Sequence, residues 1–176
     1  MVIDADSSGV DSTSENDDRI TPAGKLIRKY KIDEIPQLIH VFLGQMSFVG
    51  PRPNVKSDVS IYTAEEMKLL NVRPGITDFS SIVFSDEGDI LSGSQDPDLR
   101  YNQLIRPWKS RLGLFYIKHS SLYTDLILIT LTIIAIFNKS LSLKCVSRLL
   151  ESFDAPKELI KVSKRESELF PHPPPG

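Results

Sequence analysis

Arg28-Lys-Tyr-Lys-Ile-Asp-Glu-Ile-Pro-Gln-Leu38 sets two adjacent carboxylates, Asp33 and Glu34, directly after a basic run and just before a proline. Pro36 has no N–H and is tolerated in a helix mainly in its first turn. The apolar residues that follow, Leu38, Ile39, Phe42 and Leu43, recur at helical spacing. The pattern predicts a helix from about Asp33 to Leu43, with Gly44 as its stop. The carboxylates then occupy the positive, N–H-rich end of that helix, which favours anions, whether side-chain carboxylates or a bound phosphate. Two readings are open at this point: Asp33 is an N-cap with Glu34 in the first turn, or the pair carries chemistry. Arg28 upstream, Phe48-Val-Gly-Pro-Arg-Pro53 and Val72-Arg-Pro-Gly-Ile-Thr77 weigh toward the second.

Working outward, Thr21 and Pro22 form an N-cap and a first helical position. Leu26, Ile27 and Tyr30 supply an apolar face there, while Lys25, Arg28 and Lys29 gather on another. Upstream, residues 1–18 contain six acidic residues and no Lys or Arg. This is not the charge order of a secretory signal peptide, and with almost nothing to bury it reads as an acidic loop or disordered arm. Downstream, Met46-Ser-Phe-Val49 is a short extended candidate. Prolines on both sides of Arg52 stiffen its loop and help preorganise a guanidinium for phosphate. Thr63 with Glu65 and Glu66 opens another helix ending near Asn71, and Arg73 is again fixed beside proline and glycine. Asp78 to Ile90 alternates loosely through Phe79, Ile82 and Phe84, which predicts a hairpin turning at Ser85-Asp-Glu-Gly88.

Residues 97–138 read as helix broken at Pro107, with Leu104, Trp108, Leu112, Phe115, Tyr116 and His119 as a buried stripe. Leu126 to Phe137 is free of charge but short for a bilayer span, and suits a buried or membrane-surface helix. The fold class expected is mostly α with a small β-hairpin and irregular loops. Its parts are an arm at 1–18, a catalytic domain at 19–140, and a C-terminal extension at 141–176 that is flexible at its end. The 176 residues suffice for one domain with a real core. A net charge of −2 and the lack of a basic, aromatic-interleaved stripe exclude an electrostatic case for nucleic acid. The single cysteine, Cys145, excludes an internal disulfide and reads as a buried apolar side chain.

The three motifs in this order, RITPAGKLIRKYKIDEIPQL, GQMSFVGPRP and VRPGIT, resemble the bacterial sugar transferase family. These are monotopic phosphoglycosyl transferases, which load a sugar phosphate from a nucleotide sugar onto a polyprenyl phosphate carrier. The resemblance runs from about Asp17 to Asn138, and the acidic lead-in is similar to the segment the family carries before its first motif. It implies Asp33 as the nucleophile that attacks the sugar-bearing phosphate, with Glu34 supporting the site and binding Mg²⁺. A carboxylate can form an acyl phosphate, which divides one difficult displacement into two easier ones. The transferred group needs positive charge around its oxygens, from Arg28, Arg52, Arg73 and a metal.

The resemblance further implies a uridine nucleotide sugar, a polyprenyl phosphate acceptor and a membrane surface as partners, at the cytoplasmic face of the bacterial inner membrane. Two departures qualify it. Family members usually begin with a hydrophobic, membrane-inserted helix, so this chain is expected to correspond to the catalytic part alone. The alternative is an inactive membrane-associated or partner-binding fragment. Many members also follow VRPGIT with Gly-Trp-Ala-Gln, where this chain has Asp78-Phe-Ser-Ser-Ile-Val-Phe, which leaves the sugar open. A soluble metal-dependent phosphohydrolase would fit the acidic pair but would need further ligand clusters.

Overall fold

The computed structural model describes residues 20–29 and 35–176, the backbone alone at 25, 26, 28 and 29. Helix α1 (Pro22–Lys29) starts as the sequence predicts: the Thr21 hydroxyl accepts from the Gly24 N–H at 3.2 Å and Pro22 takes the first position. Helix α2 (Gln37–Phe42) begins after Pro36, whose φ of −58° is already helical, and the chain leaves it through Gly44 at φ 73°. The predicted start at Asp33 lies outside the described residues. Strand β1 (Ser47–Val49) and helix α3 (Lys56–Ser60) follow. A 3-10 turn (Glu66–Asn71) then leads into strand β2 (Gly75–Thr77).

The β component is a parallel pair, β1 with β2, in the register Ser47↔Gly75 and Val49↔Thr77. The hairpin expected over 78–90 is replaced by two short helices, α4 (Phe79–Val83) and α5 (Glu87–Leu91). The reason is local. The Asp78 carboxylate accepts from the Ser81 N–H at 2.7 Å and from the Ser80 and Ser81 hydroxyls at 2.8 Å. That cap closes a helical turn. Phe79, Ile82 and Val83 are then at i, i+3 and i+4, all buried. Phe84, the third residue of the expected alternation, is the C-cap of this helix. Burial pushes the Asp78 carboxyl up, against the pull of these serines.

The long helical region is divided in three. Helix α6 (Pro97–Leu104) ends at Ile105, and α7 (Arg106–Lys118) starts with Pro107 in its first turn, where the missing N–H costs nothing. A second break at 119–121, not foreseen from the sequence, is set by Ser121, whose hydroxyl accepts from the Thr124 N–H at 3.1 Å and starts α8 (Leu122–Phe137). Of the predicted stripe, Trp108, Leu112 and Tyr116 are buried. Phe115 meets Phe79 edge-on, and His119 stacks between Phe115 and Phe153.

Helices α9 (Lys139–Ser152) and α10 (Lys157–Lys164) complete the core. Leu143, Val146, Leu150, Leu159 and Val162 join Phe79, Ile82, Ile105, Leu112 and Leu128 in one buried cluster, with Cys145 packed at its edge. The segment read from the sequence as a flexible end lies along α6 and α7. The His172 N–H donates to the Gln103 carbonyl at 3.1 Å, and Arg111 donates to the Pro173 carbonyl at 2.8 Å. The Thr63 hydroxyl donates to the Pro175 carbonyl.

Helix α8 turns Thr124, Leu128 and Leu131 inward. Asp125, the charge that interrupts its apolar run, accepts a hydrogen bond from the Tyr116 hydroxyl at 2.7 Å. Burial and this carboxylate raise the Tyr116 phenol above its ordinary range, so it stays a donor. No helix among the described residues is long and apolar enough to cross a membrane.

Candidate functional site

Two arginine-bearing limbs meet at the parallel pair. The first, Gly50-Pro51-Arg52-Pro53, leaves β1; the second, Arg73-Pro74-Gly75, enters β2. The Ser47 N–H donates to the Pro74 carbonyl at 2.8 Å, the Gly50 N–H to the Thr77 carbonyl at 2.9 Å, and the Gly75 N–H to the Pro51 carbonyl at 3.0 Å.

This closeness is possible only without side chains. A Cβ on Gly75 would stand 2.5 Å from the Val49 carbonyl carbon and 2.6 Å from the Gly50 Cα. One on Gly50 would stand 2.7 Å from the Arg73 carbonyl oxygen. The limbs therefore touch backbone to backbone, with Pro51 and Pro74 restricting each by a fixed φ. Arg52 and Arg73 are both exposed.

The second limb is anchored at its base. Thr63 and Glu66 form a reciprocal cap: the Glu66 N–H donates to the Thr63 hydroxyl at 3.1 Å and the Thr63 N–H to the Glu66 carboxylate at 2.9 Å. The same carboxylate, fully buried, accepts from Arg106 at 2.6 Å and from the Ser110 hydroxyl at 2.7 Å. Burial alone would raise its pKa. The Thr63 amide, Ser110 and Arg106 more than offset that and hold the carboxyl below its ordinary range, so Glu66 is charged at neutral pH. Thr63-x-x-Glu66 is a sequence-level capping signature. The role of Arg106, forty residues on, leaves no local trace.

Of the residues singled out from the sequence, Arg52 and Arg73 are brought onto adjoining limbs. Arg28 is on α1, and Asp33 and Glu34 lie outside the described residues. Carboxylate oxygens are the hard donors Mg²⁺ takes, but Glu34, the ligand the resemblance implies, is one of the residues outside those described. Among the described residues no group of three or more His, Cys, Asp or Glu side chains could hold a metal.

Immediately after the carboxylate pair, α2 buries none of its residues, and Phe42 is 90 % exposed. The outer face of α8 carries Leu122, Tyr123, Leu126, Ile133 and Phe137, the last 85 % exposed. Both helices contact β1. The sheet that joins the arginine limbs is thus flanked by two helices with uncovered apolar residues.

A family model described as bacterial sugar transferase matches residues 1–139. The chain belongs to that family. It is 33 % identical over 122 residues to the exopolysaccharide production protein ExoY of Rhizobium meliloti, covering 69 % of this chain and 47 % of that protein. It is 31 % identical over 136 residues to a UDP-N-acetylgalactosamine-undecaprenyl-phosphate N-acetylgalactosaminephosphotransferase of Aeromonas hydrophila, covering 76 % of this chain and 29 % of the relative. A Salmonella typhimurium undecaprenyl-phosphate galactose phosphotransferase is 34 % identical over 112 residues, 64 % of this chain and 20 % of its own. The chain spans about half the length, or less, of these relatives. Helices α9 and α10, almost wholly beyond the matched region, nevertheless share its core.

Gly75→Ala should be among the most damaging single-methyl changes in this protein, because backbone rather than a flexible side chain stands in the way. The expected loss is about 3 kcal/mol or more, read as a fall in the urea midpoint. Gly93→Ala, at φ 71° with open space around it, should cost only about 1 kcal/mol. Equal losses at the two sites would contradict the close approach.

Proposed function

We propose that this chain transfers a sugar 1-phosphate from a nucleotide sugar to polyprenyl phosphate through an aspartyl-phosphate intermediate. The observation that carries this reading is the backbone contact that holds two proline-stiffened arginine limbs together at one end of a sheet. Phosphoryl transfer asks a protein mainly for positioning and for positive charge on the phosphate oxygens. Family membership and relatives named for undecaprenyl-phosphate sugar transfer support the reaction class. The uridine donor is supported by the name of the Aeromonas relative.

In the first step a carboxylate oxygen of Asp33 attacks the phosphorus that bears the sugar. The bond from that phosphorus to the nucleoside monophosphate breaks, and the leaving group departs with the electron pair. In the second, a phosphate oxygen of the polyprenyl carrier attacks the same phosphorus. The bond to Asp33 breaks, which restores the carboxylate and releases a polyprenyl diphosphate sugar. Arg28, Arg52 and Arg73 hold the phosphate oxygens and offset their charge. Mg²⁺ held by Glu34 would supply further positive charge to those oxygens.

A lipid acceptor also fits the uncovered apolar residues of α2 and α8. Several large apolar side chains left exposed on one helix point to an interaction site. An apolar run as short as that of α8 suits an interfacial rather than a spanning helix. We place the protein on the cytoplasmic face of the inner membrane, where nucleotide sugars are available.

Asp33→Asn is nearly isosteric, so its loss should be chemical. With a radiolabelled UDP-sugar and polyprenyl phosphate, this variant is expected to give neither lipid-linked product nor a trapped sugar-phosphate adduct. Substantial residual transfer removes Asp33 from the role.

Arg52→Lys and Arg73→Lys keep the charge but lose the planar fork that binds two phosphate oxygens at once. Each is expected to cut turnover clearly while the thermal midpoint stays close to the parent. Unchanged turnover with a midpoint lower by many degrees would make the arginines structural.

Membrane binding is expected to be peripheral: the chain should float with vesicles containing anionic lipid and come off membranes in a carbonate wash. Retention in the washed, detergent-soluble pellet would show full insertion, and a monodisperse protein that ignores vesicles would refute the surface model.

A further inference from the structure

The second limb is tied to α7 by a fully buried carboxylate and the first by a hydrogen-bonded tyrosine, and both ties run to one guanidinium. We propose that Arg106, with Glu66 and Gly113, positions the two arginine limbs relative to each other. The proposal rests on the reading of Arg52 and Arg73 as phosphate ligands.

The relevant face of α7 consists of Arg106, Ser110 and Gly113, at i, i+4 and i+7, so the three form one stripe. Toward the second limb, Arg106 and Ser110 grip Glu66, the first residue of the turn that runs into Arg73. Toward the first, the Arg106 guanidinium carbon lies 5.5 Å from the centre of the Tyr62 ring. The Tyr62 hydroxyl accepts from the Asn54 side chain, and Asn54 directly follows Arg52-Pro53. Arg106 also donates to the Ile61 carbonyl at 2.8 Å, which pins the segment between the limbs.

Gly113 adds a steric stop. A Cβ there would stand 2.9 Å from Leu69 Cδ2, in the second limb's turn, and 3.6 Å from Pro51 Cβ, in the first limb. Both limbs therefore lie against α7 at the same notch. Arg106 is almost fully buried, and burying a charge pair is a poor way to gain stability. What directed, charge-assisted bonds supply is one orientation. A misplacement of about 1 Å in a substrate-positioning group can cost roughly a hundredfold in rate.

The test replaces both charges by side chains of similar volume, Glu66→Met with Arg106→Met, since removing one partner alone would strand the other. Three readouts are taken: the thermal midpoint, kcat/KM for the nucleotide sugar, and amide hydrogen exchange across 52–76. The proposal expects a midpoint near the parent, kcat/KM lower by roughly ten- to a hundredfold, and faster exchange confined to 52–76, the two limbs and the segment between them. A purely structural pair would let activity follow stability. Parent-like kcat/KM, parent-like exchange in 52–76, or loosening spread over the whole chain each overturns the proposal.

If the double variant fails to fold, Gly113→Ala gives the milder displacement, and the same exchange pattern decides. A parent protein without sugar-phosphate transfer would refute the function proposed above. The exchange measurement would then still rule on whether this stripe holds the limbs.

Discussion

Two glycines that share van der Waals space constrain most of this structure. Gly50 and Gly75 let two strands of three residues each pair in parallel at a point where a single Cβ would separate them. A parallel pair this short has too few hydrogen bonds to persist alone. It is held from outside. The Thr77 and Thr132 hydroxyls are 2.6 Å apart and join β2 to α8, while the Tyr116 hydroxyl also reaches the Val49 carbonyl at 3.3 Å. The helical core thus exists in part to keep a small irregular β element in place. That element in turn keeps two guanidinium-bearing loops adjacent.

The charges divide by depth. Arg52 and Arg73 are exposed. Arg106 is buried, and its two terminal nitrogens donate to protein oxygens, including the Glu66 carboxylate at 2.6 Å. The cations proposed to meet substrate and the cation that organises them are the same residue type. Only burial and partners distinguish them, and neither can be read from a single sequence.

The sequence revealed what is local. Thr21-Pro22 and Gly44 mark helix ends through their own chemistry, and the extended stretch before Arg52 follows from β-branched and aromatic residues beside a proline. Arg52 and Arg73 stood out because proline and glycine flank them. Three features stayed hidden. Phe79, Ile82 and Phe84 fit a loose strand as well as a helix until the Asp78 cap is seen to decide it. Helix α9 places serines among Leu143, Val146 and Leu150, and Ser142 and Ser147 are themselves buried, the former donating to the Leu131 carbonyl at 2.8 Å. Its periodicity was therefore diluted. The Glu66–Arg106 pair spans forty residues. Asp33 and Glu34 lie outside the described residues, so their roles rest on the sequence and on family membership.

Helix α3 buries none of its residues, although it lies on the connection between the two limbs. Because the limbs are spaced across the strands rather than along the chain, the length of that connection is nearly decoupled from their separation. Adding residues to a surface loop costs little in closure entropy. Around residues 55–60 the family could therefore lengthen, shorten or decorate the chain, and so vary what approaches the site from that side, without disturbing the cations that would grip the phosphate.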